Sequence, residues 1–112
     1  MHESSVTGRI LSIAQEQALR QGHPAAKVVR VRIGAWACIE PNSLRQGFEE
    51  ELREHGFPHA ELEIELVKPE CRCEECGAAF EPEQFTTRCD KCGSLRVVMR
   101  EQPEMEVVAV EV

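Results

Sequence analysis

Residues 70–93 read ECRCEECGAAFEPEQFTTRCDKCG, and within them Cys73-Glu74-Glu75-Cys76-Gly77 and Cys89-Asp90-Lys91-Cys92-Gly93 form two CxxCG units, with 12 residues between Cys76 and Cys89. The segment holds five of the six cysteines, six acidic residues and few large apolar side chains. It cannot build a core of its own, so something else must fold it. A CxxC turn aims two thiolates at one point, and the glycine that follows tolerates the tight backbone that directs amides at sulfur. Two such turns complete a tetrahedral four-sulfur set, Cys73, Cys76, Cys89 and Cys92, which suits zinc. Four thiolates fill the coordination sphere and leave no position for a metal-bound water, so the expected centre is structural, not hydrolytic. Iron in a rubredoxin-like role is the competing occupant. Thiol redox chemistry is disfavoured because neither pair opens a helix within a βαβ unit. Cys71 reads as a spectator beside the site, with alternate ligation as the sharper reading. Cys38, apart from the cluster, reads as a small buried hydrophobe.

Outward from this segment the pattern changes to that of an α/β domain. Ser4 and Ser5 are expected helix caps for a segment running to about Gln21, with Val6, Ile10, Ile13, Ala14 and Ala18 at helical spacing. Gly22 and Pro24 stop it. In KVVRVRI (27–33), Val29, Val31 and Ile33 alternate with Arg30 and Arg32, the signature of a half-buried strand. A second helix is expected from Pro41, with Leu44, Phe48 and Leu52 as its buried stripe and Gly56 at its end. ELEIELVK (61–68) sets Leu62, Ile64 and Leu66 on a packed face against Glu61, Glu63 and Glu65 on a wet one, and Pro69 closes it. Leu95, Val97 and Val98 suggest a short strand. MEVVAVEV (105–112) lacks clean alternation and reads as a third strand of the main sheet with both faces partly covered. The expected fold is α/β (α+β): a small three-stranded sheet with two helices, plus an inserted zinc-ribbon-like domain. Residues 1–69 and 101–112 form the first, discontinuous domain and residues 70–100 the second.

A chain of 112 residues predicts one domain, or one core with a small appendage. Hydrophobic residues at 42% and charged residues at 29% describe a soluble globular protein. No run of 18 apolar residues occurs, which argues against a membrane partner, and the N-terminal residues lack a secretory pattern, so the expected address is cytoplasmic. That compartment is reducing, which favours metal over disulfide for the clustered thiols. The net charge is −7, divided as −2 over residues 1–69, −1 over 70–100 and −4 over 101–112. No segment is basic enough for a phosphate-binding face, which demotes nucleic acid as a partner. No nucleophile–base pair, phosphate loop or open metal site is legible, so an enzyme is not expected.

The chain begins Met1-His2-Glu3. Histidine is bulky, so the methionine is expected to be retained, leaving an amine, a peptide nitrogen and an imidazole in succession. These close two fused chelate rings around one ion, with the next peptide nitrogen or the Glu3 carboxylate as a fourth donor. Nitrogen-rich, near-planar coordination selects Ni(II) or Cu(II) over Zn(II). Taken alone, the motif weighs less than a merely solvated terminus. His23, His55 and His59 stand beside Gly or Pro and read as exposed, unpaired surface histidines.

Together, the MHE start, the segment IGAWACIEPNSL (33–44), the alternating strand before Pro69 and the CxCxxC…CxxCG pattern resemble the HypA/HybF family of nickel metallochaperones for NiFe-hydrogenase maturation. The resemblance spans essentially the whole chain. It implies a nickel-binding domain of two helices on a three-stranded sheet, joined to a zinc domain. It implies transported, labile Ni(II) held by His2 with backbone nitrogens at Met1 to Glu3, and structural Zn(II) held by Cys73, Cys76, Cys89 and Cys92. The implied partners are a HypB-type GTPase and the NiFe-hydrogenase large-subunit precursor, with urease maturation proteins added in some members. Glu40 and Cys71 also sit where relatives often carry similar residues, and neither is assigned a direct metal role. The expected state is a monomer or weak homodimer. The rival readings are a zinc-ribbon adaptor in transcription or translation without nickel function, and a rubredoxin-like electron carrier. The first wants a basic or aromatic ribbon surface, and the second would be red.

Overall fold

The computed structural model describes residues 3–34, 37, 39–82, 88–100 and 104–112, and side chains from Val6 onward. Cys38 lies outside the described residues. The first helix, α1, runs Glu3–Arg20 and buries Val6, Ile10, Ala14 and Ala18. It begins before Ser4 and Ser5, so the expected caps fall inside its first turn; sequence signals locate helix ends only to a residue or two. It ends in a Schellman turn at Gly22, whose φ is 80°. There the His23 amide donates to the Ala18 carbonyl at 2.9 Å and the Gly22 amide to Leu19 at 3.0 Å, satisfying carbonyls the helix leaves over.

Strand β1 (Val28–Gly34) leads into helix α2 (Pro41–Glu54), which crosses over to strand β2 (Glu61–Val67) lying parallel to β1. The last strand, Met105–Glu111, is antiparallel to β1 on its other side. The alternation in β1 decides the layering. Val29, Val31 and Ile33 are essentially fully buried and pair across to Leu62, Ile64 and Leu66 on one side and to Val110, Val107 and Met105 on the other. Both helices cover that face: α2 contributes Leu44, Phe48 and Leu52 to the core. The helices approach closely where Gly47 faces the buried Thr7; a Cβ at 47 would lie 3.0 Å from Thr7 Cγ2. The opposite face carries a ladder of charge. Arg30 bridges Glu63 (2.6 Å) and Glu111 (2.8 Å), and Arg32 pairs with Glu65 at 3.2 Å.

Two details depart from the simple pattern. Leu66, expected on the packed face, is 51% exposed, because it sits near the far end of an edge strand. The irregular alternation of the last strand has a cause in the ladder. Its register shifts opposite Arg30 and Val31, so Val108 is skipped between the pairs Val31–Val107 and Arg30–Ala109. Such a bulge reverses the inward parity. Met105 and Val107 meet the core on one side of it, and Val110 and Val112 on the other.

The cysteine-rich segment forms its own three-stranded sheet. β3 (Cys71–Cys73) is central, flanked by β4 (Ala79–Phe80) and β5 (Val97–Met99), which makes Met105–Glu111 β6. Only β5 was visible in the sequence, and Leu95, expected within it, lies outside and is exposed. Where the chain enters and leaves this segment, the Arg100 amide donates to the Glu70 carbonyl at 2.8 Å, and its guanidinium pairs with the Glu70 carboxylate at 2.9 Å.

Candidate metal centre

The two CxxCG units adopt the same backbone turn. In the first, the Cys73 amide donates to Ala78 (2.9 Å) and the Gly77 amide to Cys73 (3.0 Å); in the second, Cys89 donates to Ser94 (2.8 Å) and Gly93 to Cys89 (3.0 Å). Each turn needs its glycine, since Gly77 and Gly93 both sit at φ 75°, where side chains are strained. The Glu74 amide donates to the Arg96 carbonyl at 2.9 Å, tying the first knuckle to the strand that follows the second.

These turns bring the four predicted sulfurs together. The Sγ atoms of Cys73, Cys76, Cys89 and Cys92 all lie within 4.8 Å of one another, with Cys73–Cys92 and Cys76–Cys89 both at 3.6 Å. A tetrahedral ion with metal–sulfur bonds of about 2.3 Å sets sulfurs about 3.8 Å apart. The spread matches that edge, and the donor set fits zinc. Among the described residues, no other group of three or more Cys, His, Asp or Glu could hold an ion.

Backbone amides prepare two of the four sulfurs to be anions. The Cys76 amide donates to Cys73 Sγ at 3.5 Å and is the chief reason that thiol is held down at about 6. Cys89 is lowered likewise by the amides of Cys92 and Lys91, the latter at 3.3 Å. Cys76 and Cys92 go the other way. The amides of Ala78 and Ser94 pull them down, but loss of solvent and proton sharing with neighbouring sulfurs outweigh that, and Cys92 is pushed up to about 12. Four thiolates this close cannot all be charged without a cation among them.

Cys71 stands outside the set. It is buried on β3, and burial, then the charge of Asp90, raises its thiol. Met1 and His2 lie outside the described residues, and Glu3 is the first residue of α1. Two of the three histidines expected to be unpaired have partners: His59 Nδ1 lies 2.7 Å from Glu49, and His55 Nε2 lies 3.3 Å from Glu51. The second pairing was legible as an i,i+4 spacing; the first joins a helix to a later loop and was not. Sequence reasoning also missed what Glu40 does. Its carboxylate accepts from the amides of Ser43 (2.7 Å) and Asn42 (3.1 Å), capping α2, and the Ser43 bond chiefly holds it below the usual carboxylate range. An acid directly before Pro41 at a helix start was the available signal.

The sequence profile of the family described as "Hydrogenase/urease nickel incorporation, metallochaperone, hypA" matches residues 1–112. A protein of Azotobacter chroococcum mcd 1 named "Hydrogenase maturation factor HypA" is 34% identical over 112 residues, covering 100% of this chain and 99% of that one. One of the same name from Acidithiobacillus ferrooxidans (strain ATCC 53993 / BNL-5-31) is 34% identical over 113 residues, covering 99% and 100%. Among solved structures, the solution structure of the Ni metallochaperone HypA from Helicobacter pylori superposes with a TM-score of 0.68 at 27% identity, covering 99% of this chain and 97% of that one.

Proposed function

We propose a two-metal division of labour for this chain, which belongs to the HypA family of hydrogenase and urease nickel-incorporation metallochaperones. Its function is that of a nickel metallochaperone in hydrogenase maturation, with nickel as cargo. The observation that carries this is the whole-chain match over residues 1–112, which takes in both the MHE start and the four thiols.

Nickel, on this proposal, is held by His2 with nitrogens at Met1 to Glu3. The location has a physical basis: the first amides of a helix have no intrahelical acceptor, and α1 begins at Glu3. Peptide nitrogens become ligands only when nickel displaces their protons, so nickel affinity falls steeply as pH is lowered, which gives a route to release. Cys73, Cys76, Cys89 and Cys92 are the proposed zinc ligands. When bound there, zinc supplies the folding free energy that residues 70–100 cannot gain from a core. The Glu70–Arg100 closure supports treating that segment as one unit and residues 1–69 with 101–112 as the other.

The partners proposed within the hydrogenase maturation machinery are a HypB-type GTPase and the large-subunit precursor, with urease maturation proteins as a further destination. A cargo carrier with a closed four-thiolate centre has no chemical step to catalyse, so the chain is read as a non-enzyme. No described helix is long and apolar enough to cross a membrane, and a cytoplasmic address suits the five free thiols of the described residues. The test is metal analysis of the untagged protein after nickel titration, with His2→Ala in parallel. About one zinc in both proteins and about one nickel only in the wild type are expected. Zinc alone in both would overturn the nickel site and favour the adaptor reading.

A further inference from the structure

Strand β2 forms one edge of the main sheet, and the ladder fixes which of its groups face outward. The Glu61 amide donates to the Lys27 carbonyl at 2.9 Å. In a parallel pairing, Glu61, Glu63, Glu65 and Val67 therefore turn their backbone groups to β1, and Leu62, Ile64 and Leu66 turn theirs away. The Arg45 guanidinium takes one of the outward groups, the Leu62 carbonyl, at 3.4 Å. Among the described residues, nothing takes the outward amides and carbonyls of Ile64 and Leu66. Sheet edges are normally blunted by a proline, a lysine or a bulge. The opposite edge, β6, has its bulge at Val108, whereas β2, ELEIELV, has none of these. Beside the open groups lie Leu66, 51% exposed, and a cleft of about 410 Å³ lined by Arg45 and Glu49 of α2 and by Leu62 and Ile64.

We infer that the β2 edge is a docking site for an extended segment of another protein, one in which basic side chains alternate with apolar ones. Side chains of an added strand alternate between the two faces in step with those of β2. On the helix side they meet Ile64 and the exposed Leu66, which selects apolar residues. On the other side they meet a column of carboxylates, Glu61, Glu63 and Glu65. That face holds an excess of acid, since Glu61, Glu63, Glu65, Glu106 and Glu111 stand there against the guanidiniums of Arg30 and Arg32. Lysine or arginine on the incoming strand supplies the balancing charge. A second copy of this chain does not fit. Its β2 would set glutamate against glutamate, its β6 would bring Glu106 and Glu111, and like charges directly across a ladder are destabilising. Neither metal takes part in this contact, so peptide binding and nickel binding succeed or fail separately.

The test is two-dimensional NMR of the full-length, zinc-loaded chain with a blocked peptide of about nine residues in which lysine and valine alternate. Expected are shifts centred on the Ile64 and Leu66 amides, exchange of those amides slowed about tenfold, and weaker binding as salt is raised. A peptide of the same composition with its lysines and valines in separate blocks should bind about tenfold more weakly. Leu66→Pro removes an outward amide that β1 does not use and should weaken binding about tenfold. Glu65→Lys, an exposed change, should do the same and should turn preference toward a peptide alternating glutamate and valine. The circular dichroism spectrum should be retained in both variants. No binding at about 5 mM peptide overturns the proposal. Equal binding of the alternating and block peptides, shifts centred away from β2, or an unchanged charge preference in Glu65→Lys overturns it as well.

Discussion

Zinc binding to this chain should expel about two to three protons at pH 7.5, not four. Ordinary thiols titrate near 9, so four unassisted cysteines would enter a zinc site protonated and release four. In this geometry one sulfur of each knuckle is biased toward the anion, and Cys73 already is one at this pH. Cys73 is held at about 6 by the Cys76 amide above all, and Cys89 is lowered by the Cys92 and Lys91 amides. Cys76 is raised and Cys92 is pushed up to about 12, so these two carry the protons that must leave. Two to three protons per ion make affinity fall roughly a hundred- to a thousandfold for each pH unit lost between about 8 and 6.5. Below about 6 the loss steepens, because Cys73 is then protonated too. The sign for the metal-free turn is the same. A lowered thiol contributes stability that is present above the ordinary thiol range and disappears as pH falls through about 6. Calorimetry in buffers of differing ionisation heat counts the protons, and chelator competition at pH 6.5 and 7.5 gives the slope. A count near four would mean that the amide–sulfur bonds do not hold these thiols down. A count near zero would mean that no proton is shared among the four sulfurs.

Two glycines on the facing helices should respond oppositely to alanine. Gly8→Ala meets nothing within 4 Å and should gain about 1 kcal/mol, a rise of about 4 °C in melting temperature at low protein concentration. Gly47→Ala sets a methyl 3.0 Å from buried Thr7, and overpacking of about 1–3 kcal/mol should cancel or reverse the same propensity gain; equal rises for the two would refute the close helix contact. Cys73→Ala should cost the zinc and open residues 70–100 to protease while the β2-β1-β6 sheet keeps its slow amide exchange; a protease-resistant segment without zinc would refute the structural role assigned to the metal.

Legibility followed the range over which each feature is decided. The four-thiol site was plain in the sequence because each knuckle is specified by five consecutive residues, and only the meeting of two knuckles needs the fold. Val29, Val31 and Ile33 announced β1 because a strand buried on one face writes period two into its own residues. The strands β3 and β4 left no such mark: two or three residues cannot display a period. Position within the sheet was equally invisible. Nothing in ELEIELVK says that Leu66 lies beyond the helices' cover, since this depends on β2 being an edge. The last strand looked ambiguous for a reason that is itself structural. Its apolar residues keep a strict rhythm on each side of the bulge at Val108, and only their sum across it looks irregular.

The contrast between the two metals follows from where their donors sit in this architecture. The four sulfurs come from two separate turns whose backbones are fixed by the same pair of hydrogen bonds, and a segment with no core depends on their staying together. Losing that ion means unfolding the segment, so exchange there is slow by construction. The proposed nickel donors belong instead to three consecutive residues of the sequence, the last of which, Glu3, opens α1. From Val6 onward that helix is anchored by full burial of its inner stripe and by the close pass of Thr7 under Gly47. An ion held by residues 1–3 therefore contributes nothing that the core needs, and removing it leaves α1 where packing put it. Affinity set by donor chemistry alone, uncoupled from folding, is what allows a cargo ion to be handed on without the carrier coming apart.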